Sequence, residues 1–202
     1  MCEHAAMSRN RTLLLVVVSA GLALLVLSSV AERLRADDDP AETSAPAGPQ
    51  TAQLGWRETY GESGEQLVFE VDRLQVLRDG WTARLALTND TSVAWEIGDP
   101  QATLDRSFGL MLLATDDQAE LDERNSNGTL PEPRRARTYV PRLPEILEPR
   151  SSWKGEISAP GSLAAGSWVR VVFGTLIAVG RTPDGLDSRL VWITDRTYRL
   201  RR

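Results

Sequence analysis

Residues 67–90 read LVFEVDRLQVLRDGWTARLALTND, and the spacing of their apolar side chains decides the fold. Leu67, Phe69 and Val71 recur at every second position, the period at which an extended chain returns to the same face. Trp81, Ala83, Leu85 and Leu87 repeat that period, while Thr82, Arg84, Ala86 and Thr88 fall on the other face. Each run predicts a strand with one face turned to a core. Between them Asp79-Gly80 signals a hairpin, because glycine accepts the positive φ that a tight turn demands. The two runs are expected to pair antiparallel.

Downstream, further short strands are expected at 93–98, 108–115, 152–158, 168–176, 190–194 and 197–200. About seven strands separated by turn residues, with no long helical period, predict an all-β domain: an antiparallel sandwich over residues 53–202. The connection 116–150 is proline-rich and reads as a long loop whose last part packs down through Leu143, Ile146 and Leu147.

TARLALTNDTSVAWEI, followed much later by LEPRSSWKGEISAPG and WVRVVFG, resembles the small immunoglobulin-like ectodomains, mostly without assigned function, that bacteria of the actinobacterial type tether outside the membrane. In that group an L-x-P-G turn precedes a strand carrying a glycine, and a later strand ends in an aromatic. Leu147, Pro149, Gly155 and Phe173 fit, and Arg150 stands where glycine is expected. The likeness covers roughly residues 67–174 and implies an immunoglobulin-like fold without catalytic residues.

Ahead of the domain, residues 12–31 (TLLLVVVSAGLALLVLSSVA) carry no charge. Twenty residues at about 1.5 Å each match the roughly 30 Å hydrocarbon core of a bilayer, so a transmembrane helix acting as a signal anchor is expected. The competing reading is a cleaved export signal, with Arg9 and Arg11 as its positive start and Ser29-Val30-Ala31 as its small-residue site. Residues 1–11 form a short tail, expected inside, with the C-terminal domain extracytoplasmic and the protein a single-pass component of the cell membrane. Residues 32–52, acidic and rich in Pro, Ala and Ser, predict a disordered linker. Met7 opens an alternative start that would remove Cys2 and His4.

The 202 residues carry a formal net charge of −5, which argues against nucleic acid as a partner. Cys2 is the only cysteine, so the domain forms no internal disulfide. His4, the only histidine, lies outside the domain, which removes Ser/His/Asp and Cys/His mechanisms and the usual zinc ligands. Ser151 to Lys154 matches S-x-x-K, but it leads into a strand and not a helix, and reads as a turn with an edge lysine. TDDQAELDE offers Asp116, Asp117, Glu120, Asp122 and Glu123 as Ca²⁺ ligands, without the spacing of an EF-hand; a solvated acidic loop is the simpler reading. Arg134, Arg135 and Arg137 form a basic cluster for an anionic partner, or alternatively pair with that acidic stretch. Asn89-Asp90-Thr91 and Asn127-Gly128-Thr129 match glycosylation acceptors but read first as turns. Trp81, Trp95, Trp153, Trp168 and Trp192 fall in strands, where packing is favoured over a role as ligand platform.

The resulting expectation is a membrane-anchored binding or accessory module, not an enzyme and without cofactor. Its expected partners are the bilayer, through the N-terminal helix, and an envelope protein or wall component. A carboxylate- or Ca-dependent hydrolase is the alternative.

Overall fold

The computed structural model describes residues 45–98 and 108–202. The expected tail, the membrane helix at 12–31 and most of the linker lie outside the described residues. Among the described residues no helix is long and apolar enough to cross a membrane. The strands, in chain order, are β1 (Gln50–Glu62), β2 (Glu65–Val76), β3 (Gly80–Asp90), β4 (Ala94–Ile97) and β5 (Gly109–Leu113). One helix, α1 (Gln118–Ser126), follows, and then β6 (Arg134–Arg135), β7 (Thr138–Val140), β8 (Ile146–Leu147), β9 (Ser151–Pro160), β10 (Trp168–Val179), β11 (Arg189–Ile193) and β12 (Tyr198–Arg199).

They form two antiparallel sheets over one core, as the alternation predicts. The first has the order β1-β2-β3-β9-β7. In its β2–β3 hairpin Val71 faces Leu85 and Phe69 faces Leu87. These four side chains, with Leu67, Trp81 and Ala83, are buried in the core. A register shift between Val71 and Arg73 resets the alternation, which is why Leu74 and Val76 take over the inward face. The turn is closed by Leu77 N–H donating to the Gly80 carbonyl at 2.8 Å. Gly80 itself is not in the left-handed region. Glycine is required there by crowding: a Cβ would lie 2.8 Å from the Ala159 carbonyl oxygen on β9.

The second sheet is organised by β10. β5 pairs with residues 168–172 of β10, and β4 with residues 176–179. β12 pairs with residues 168–169 and β11 with residues 172–177. A strand has only two edges, so β4 and β5 must be collinear on one, and β11 and β12 collinear on the other. Outside β4 and β5 lie β8 and β6. Between β6 and β8 the chain crosses to the first sheet, where β7 pairs with β9. Phe69 of the first sheet and Phe173 of the second meet edge to face, ring centroids 5.1 Å apart.

Two expectations are corrected. Chain order begins before residue 53: Ala47 is buried and donates to the Leu163 carbonyl at 2.7 Å, and β1 starts at Gln50. The Gln50 side chain holds this segment to the C-terminus, accepting from Tyr198 Oη and Arg201 N–H and donating to the Arg201 carbonyl. The stretch 116–150 is not a structureless loop, since it holds α1, β6, β7 and β8. Its helix was illegible as a periodic pattern because only Leu121 is buried along it. The local signals are nevertheless ordinary: Asp117 caps the N-terminus, accepting from Ala119 N–H at 2.9 Å and Glu120 N–H at 3.3 Å.

A buried amide locks the end of β3. Asn89 is 0% exposed, and its Nδ2 reaches the carbonyls of Val93 (2.8 Å), Leu147 (3.1 Å) and Glu148 (2.9 Å). Its Oδ1 accepts from Thr91 N–H and Thr91 Oγ1. Thr91 Oγ1 in turn accepts from the indole N–H of the buried Trp95 at 3.1 Å. Asn89 thus holds the β3–β4 turn and ties it to the end of β8, and it is closed to any glycan in the folded protein. Beside it Arg150, where the resemblance expects glycine, has φ 58. The side chain compensates for that backbone: Nη1 donates to the carbonyls of Gly64 (2.8 Å) and Asp90 (2.6 Å), and Nη2 to Glu65 Oε1 at 3.1 Å. Farther along, Gly155 has no substitute, because a Cβ would run into the Trp153 ring and the Val140 carbonyl.

Two outcomes are expected in denaturant unfolding. Asn89→Ala leaves buried carbonyls without donors and lowers stability by about 3 kcal/mol. Arg150→Ala and Arg150→Gly both lose the clamp, but only the alanine keeps the left-handed strain, so the glycine variant is the more stable of the two by about 1 kcal/mol.

Candidate functional site

Successive side chains of β10 point to opposite faces. Val169, Val171 and Phe173 enter the main core, while Val172 joins Met111 and Leu113 on the outer face of the second sheet, under Leu121 of α1. This outer face is only partly covered. Between α1, β5, β10 and β11 lies a cleft of about 310 Å³. Its apolar walls include Met111, Leu113, Leu121 and Val191; Tyr60 and Trp192 also border it.

Arg170 enters this cleft from near the start of β10 and is only 6% exposed. Nη2 donates to Gln118 Oε1 of α1 at 2.7 Å, whereas Nε is buried without a partner. Burial pushes the guanidinium below its ordinary pKa, and the negative charges of Asp195, Glu58 and Asp122 pull it back up. No ion pair to Arg170 is formed among the described residues. The cleft therefore holds a desolvated cation within the field of several carboxylates, with apolar surface beside it. Such an arrangement can take up a small ligand that carries both apolar bulk and hydrogen-bonding atoms.

The carboxylates are held in different ways. Asp187 accepts from Tyr60 Oη at 2.6 Å, and Asp122 accepts from Gln118 Nε2 at 2.7 Å. Glu58, on β1, accepts from the Trp192 indole N–H at 2.9 Å and from the backbone N–H groups of Asp195 and Arg196, fastening the turn after β11 to the first sheet. Asp195 lines the cleft and is an exposed residue. Trp192 stacks on Phe69, rings 5.0 Å apart and 3° from parallel.

The residues singled out from sequence are distributed differently. Among the described residues no group of three or more acidic, His or Cys side chains is arranged to hold a metal ion. Asp116, Asp117, Glu120, Asp122 and Glu123 are not brought together as a set: Asp117 is spent on the helix cap, and Asp122 leaves α1 on a different side from Glu120 and Glu123, which are one turn apart. Of these five only Asp122 reaches the cleft. Arg134 and Arg135 form the outer strand β6 beside β5, and with Arg137 they are exposed. The expected pairing with the acidic stretch is not formed, because α1 lies over the outer face of the sheet while β6 continues along its edge. Ser151 and Lys154 lie in β9, three residues apart and so on opposite faces. Trp81, Trp95 and Trp153 are core residues; of the strand tryptophans, Trp192 alone lines the cleft.

Arg170 was missed in the sequence. Its signal was available: a single charge inside WVRVVFGTLIAV, a strand apolar on both faces. No family model matches the chain, and no curated protein and no solved structure matches it.

Tyr60 supplies a test of the rim geometry. The hydrogen bond to Asp187 raises its pKa above the ordinary value near 10, and burial and the Asp187 charge add to this. A raised folded pKa means that this stabilisation is complete below about pH 10 and is lost as pH rises through the higher folded value. Alkaline titration of tyrosine absorbance is expected to show late ionisation of Tyr60 in the wild type, and Asp187→Asn to return it toward the normal range.

Proposed function

We propose that this chain is a single-pass membrane protein of the cell envelope, tail inside, whose extracytoplasmic immunoglobulin-like sandwich is a binding or accessory module. The anchor reading rests on the uncharged apolar residues 12–31, and the immunoglobulin-like reading on two antiparallel sheets sharing one aromatic core. The observation that carries the binding role is the cleft over β10, where the buried Arg170 keeps an unpartnered Nε. Arg134, Arg135 and Arg137, exposed together on and beside one sheet edge, offer a second contact for an anionic envelope protein or wall polymer.

Topology and binding are tested separately on the full chain. In its own membranes the protein is expected to resist alkaline carbonate extraction and to lose its C-terminal domain to externally added protease; recovery in the soluble fraction would remove the anchor reading. After detergent extraction, a low-mass fraction of the cell envelope is expected to raise the melting temperature of the wild type and not that of Arg170→Met. Equal response of the two proteins, or none from either, would remove the binding role of the cleft.

A further inference from the structure

Taking the cleft over β10 as the binding site of this module, we infer that it receives the amino end of an apolar amino acid or peptide: an α-ammonium group, the carbonyl oxygen next to it, and an apolar side chain. Each part answers a feature of the cleft. Asp122, Asp187 and Asp195 line it, against Arg170 as the one cation among the described lining residues. A purely anionic ligand would add a negative charge to this excess of carboxylates, so the cleft selects against it. An ammonium group is attracted, and Asp195, whose carboxylate forms no ion pair among the described residues, is positioned to take it.

A cation alone leaves Arg170 unsatisfied. Its Nε–H is buried without an acceptor, and the carboxylates that act on it form no ion pair with it. The group that supplies the missing acceptor must bring an oxygen into the cleft without making the ligand a net anion, as a carbonyl or the carboxylate of a zwitterion does. In an α-amino acid or a peptide amino terminus that oxygen is two bonds away from the carbon bearing the ammonium, so one small group serves both sides. The remaining substituent meets Met111, Leu113, Leu121 and Val191. A cleft of about 310 Å³ is at the small end for a ligand site and fits one or two residues, not an extended chain.

The test uses the detergent-solubilised full chain and four probes: L-leucinamide, L-leucine, N-acetyl-L-leucine and glycinamide. Leucinamide and leucine are expected to raise the melting temperature and to bind by calorimetry. N-acetyl-leucine, which lacks the ammonium, and glycinamide, which lacks the side chain, are expected to bind at least about tenfold more weakly. Tighter binding of leucinamide than of leucine assigns the cleft to peptide ends, and the reverse order to the free amino acid. Because Arg170→Met can fail by misfolding, Asp195→Asn, at an exposed position, is the second variant. It is expected to weaken leucinamide about tenfold and not to weaken N-acetyl-leucine, an anion that the lost carboxylate no longer repels. Equal binding of leucinamide and N-acetyl-leucine, or an Asp195→Asn protein that binds leucinamide as the wild type does, would overturn the assignment. If none of the probes binds while the envelope fraction still stabilises the wild type and not Arg170→Met, the ligand class is wrong and the binding role stands; if the fraction fails too, both fall.

Discussion

The second sheet depends on one constraint, the two edges of β10. Four strand segments compete for those edges, and each edge accommodates two only because the partners are short and collinear. Where β11 stops and β12 begins, the chain leaves the sheet. At the β11–β12 break the departing residues are Thr194, Asp195 and Arg196, held by the Glu58 carboxylate and by Thr194 Oγ1 donating to the Arg196 carbonyl. At the β6–β8 break the departing chain contributes β7 to the opposite sheet. The interruption between β11 and β12 thus forms part of the rim of the cleft, where Asp195 lies.

The same strand explains why the outer face needs a cover. Edge strands and hairpins in the first sheet show charged residues to water, with Arg57 facing Glu70 and Arg84 facing Asp72 across neighbouring strands. These exposed pairs contribute little to stability, about 0 to 1 kcal/mol each, but they keep that face soluble. The second sheet instead presents Val172, Met111 and Leu113, apolar residues that α1 shields through Leu121. One buried leucine and one hydrogen bond from Arg170 to Gln118 make a light attachment, so the cover fits the sheet incompletely and leaves room beside it.

What the sequence disclosed follows the strength of each physical signal. Period-two alternation, repeated across a hairpin, made β2 and β3 and their buried faces legible at 67–71 and 81–87, and the short strands downstream were recognisable by their β-branched and aromatic content. β1 was not, although it is 13 residues long, since QTAQLGWRETYGE carries few large apolar side chains and a register shift near Gly55 breaks what alternation there is. α1 was invisible to periodicity because a helix that buries one side chain has no stripe. At the site, charge clusters attracted notice where they are solvated, on α1 and β6. The informative charge, Arg170, was concealed by its own surroundings, as an isolated residue in an apolar run.

The energetics of that residue bear on why the cleft exists. Desolvating a guanidinium costs several kcal/mol in a folded protein unless it is paired and fully hydrogen-bonded. The hydrogen bond to Gln118 returns about 1.5 to 3 kcal/mol, as for other bonds to charged groups, and Nε returns nothing. The diffuse attraction of Asp195, Glu58 and Asp122 offsets part of the remainder, but without contact it falls short of an ion pair. An aliphatic residue at this point of β10 would join Val172, Met111 and Leu113 with no desolvation cost, and α1 would pack on a continuous apolar surface. Fold stability alone therefore disfavours arginine here. A group that supplies an acceptor to Nε would recover the missing hydrogen bond, and the stability forgone in the free protein becomes affinity for that group.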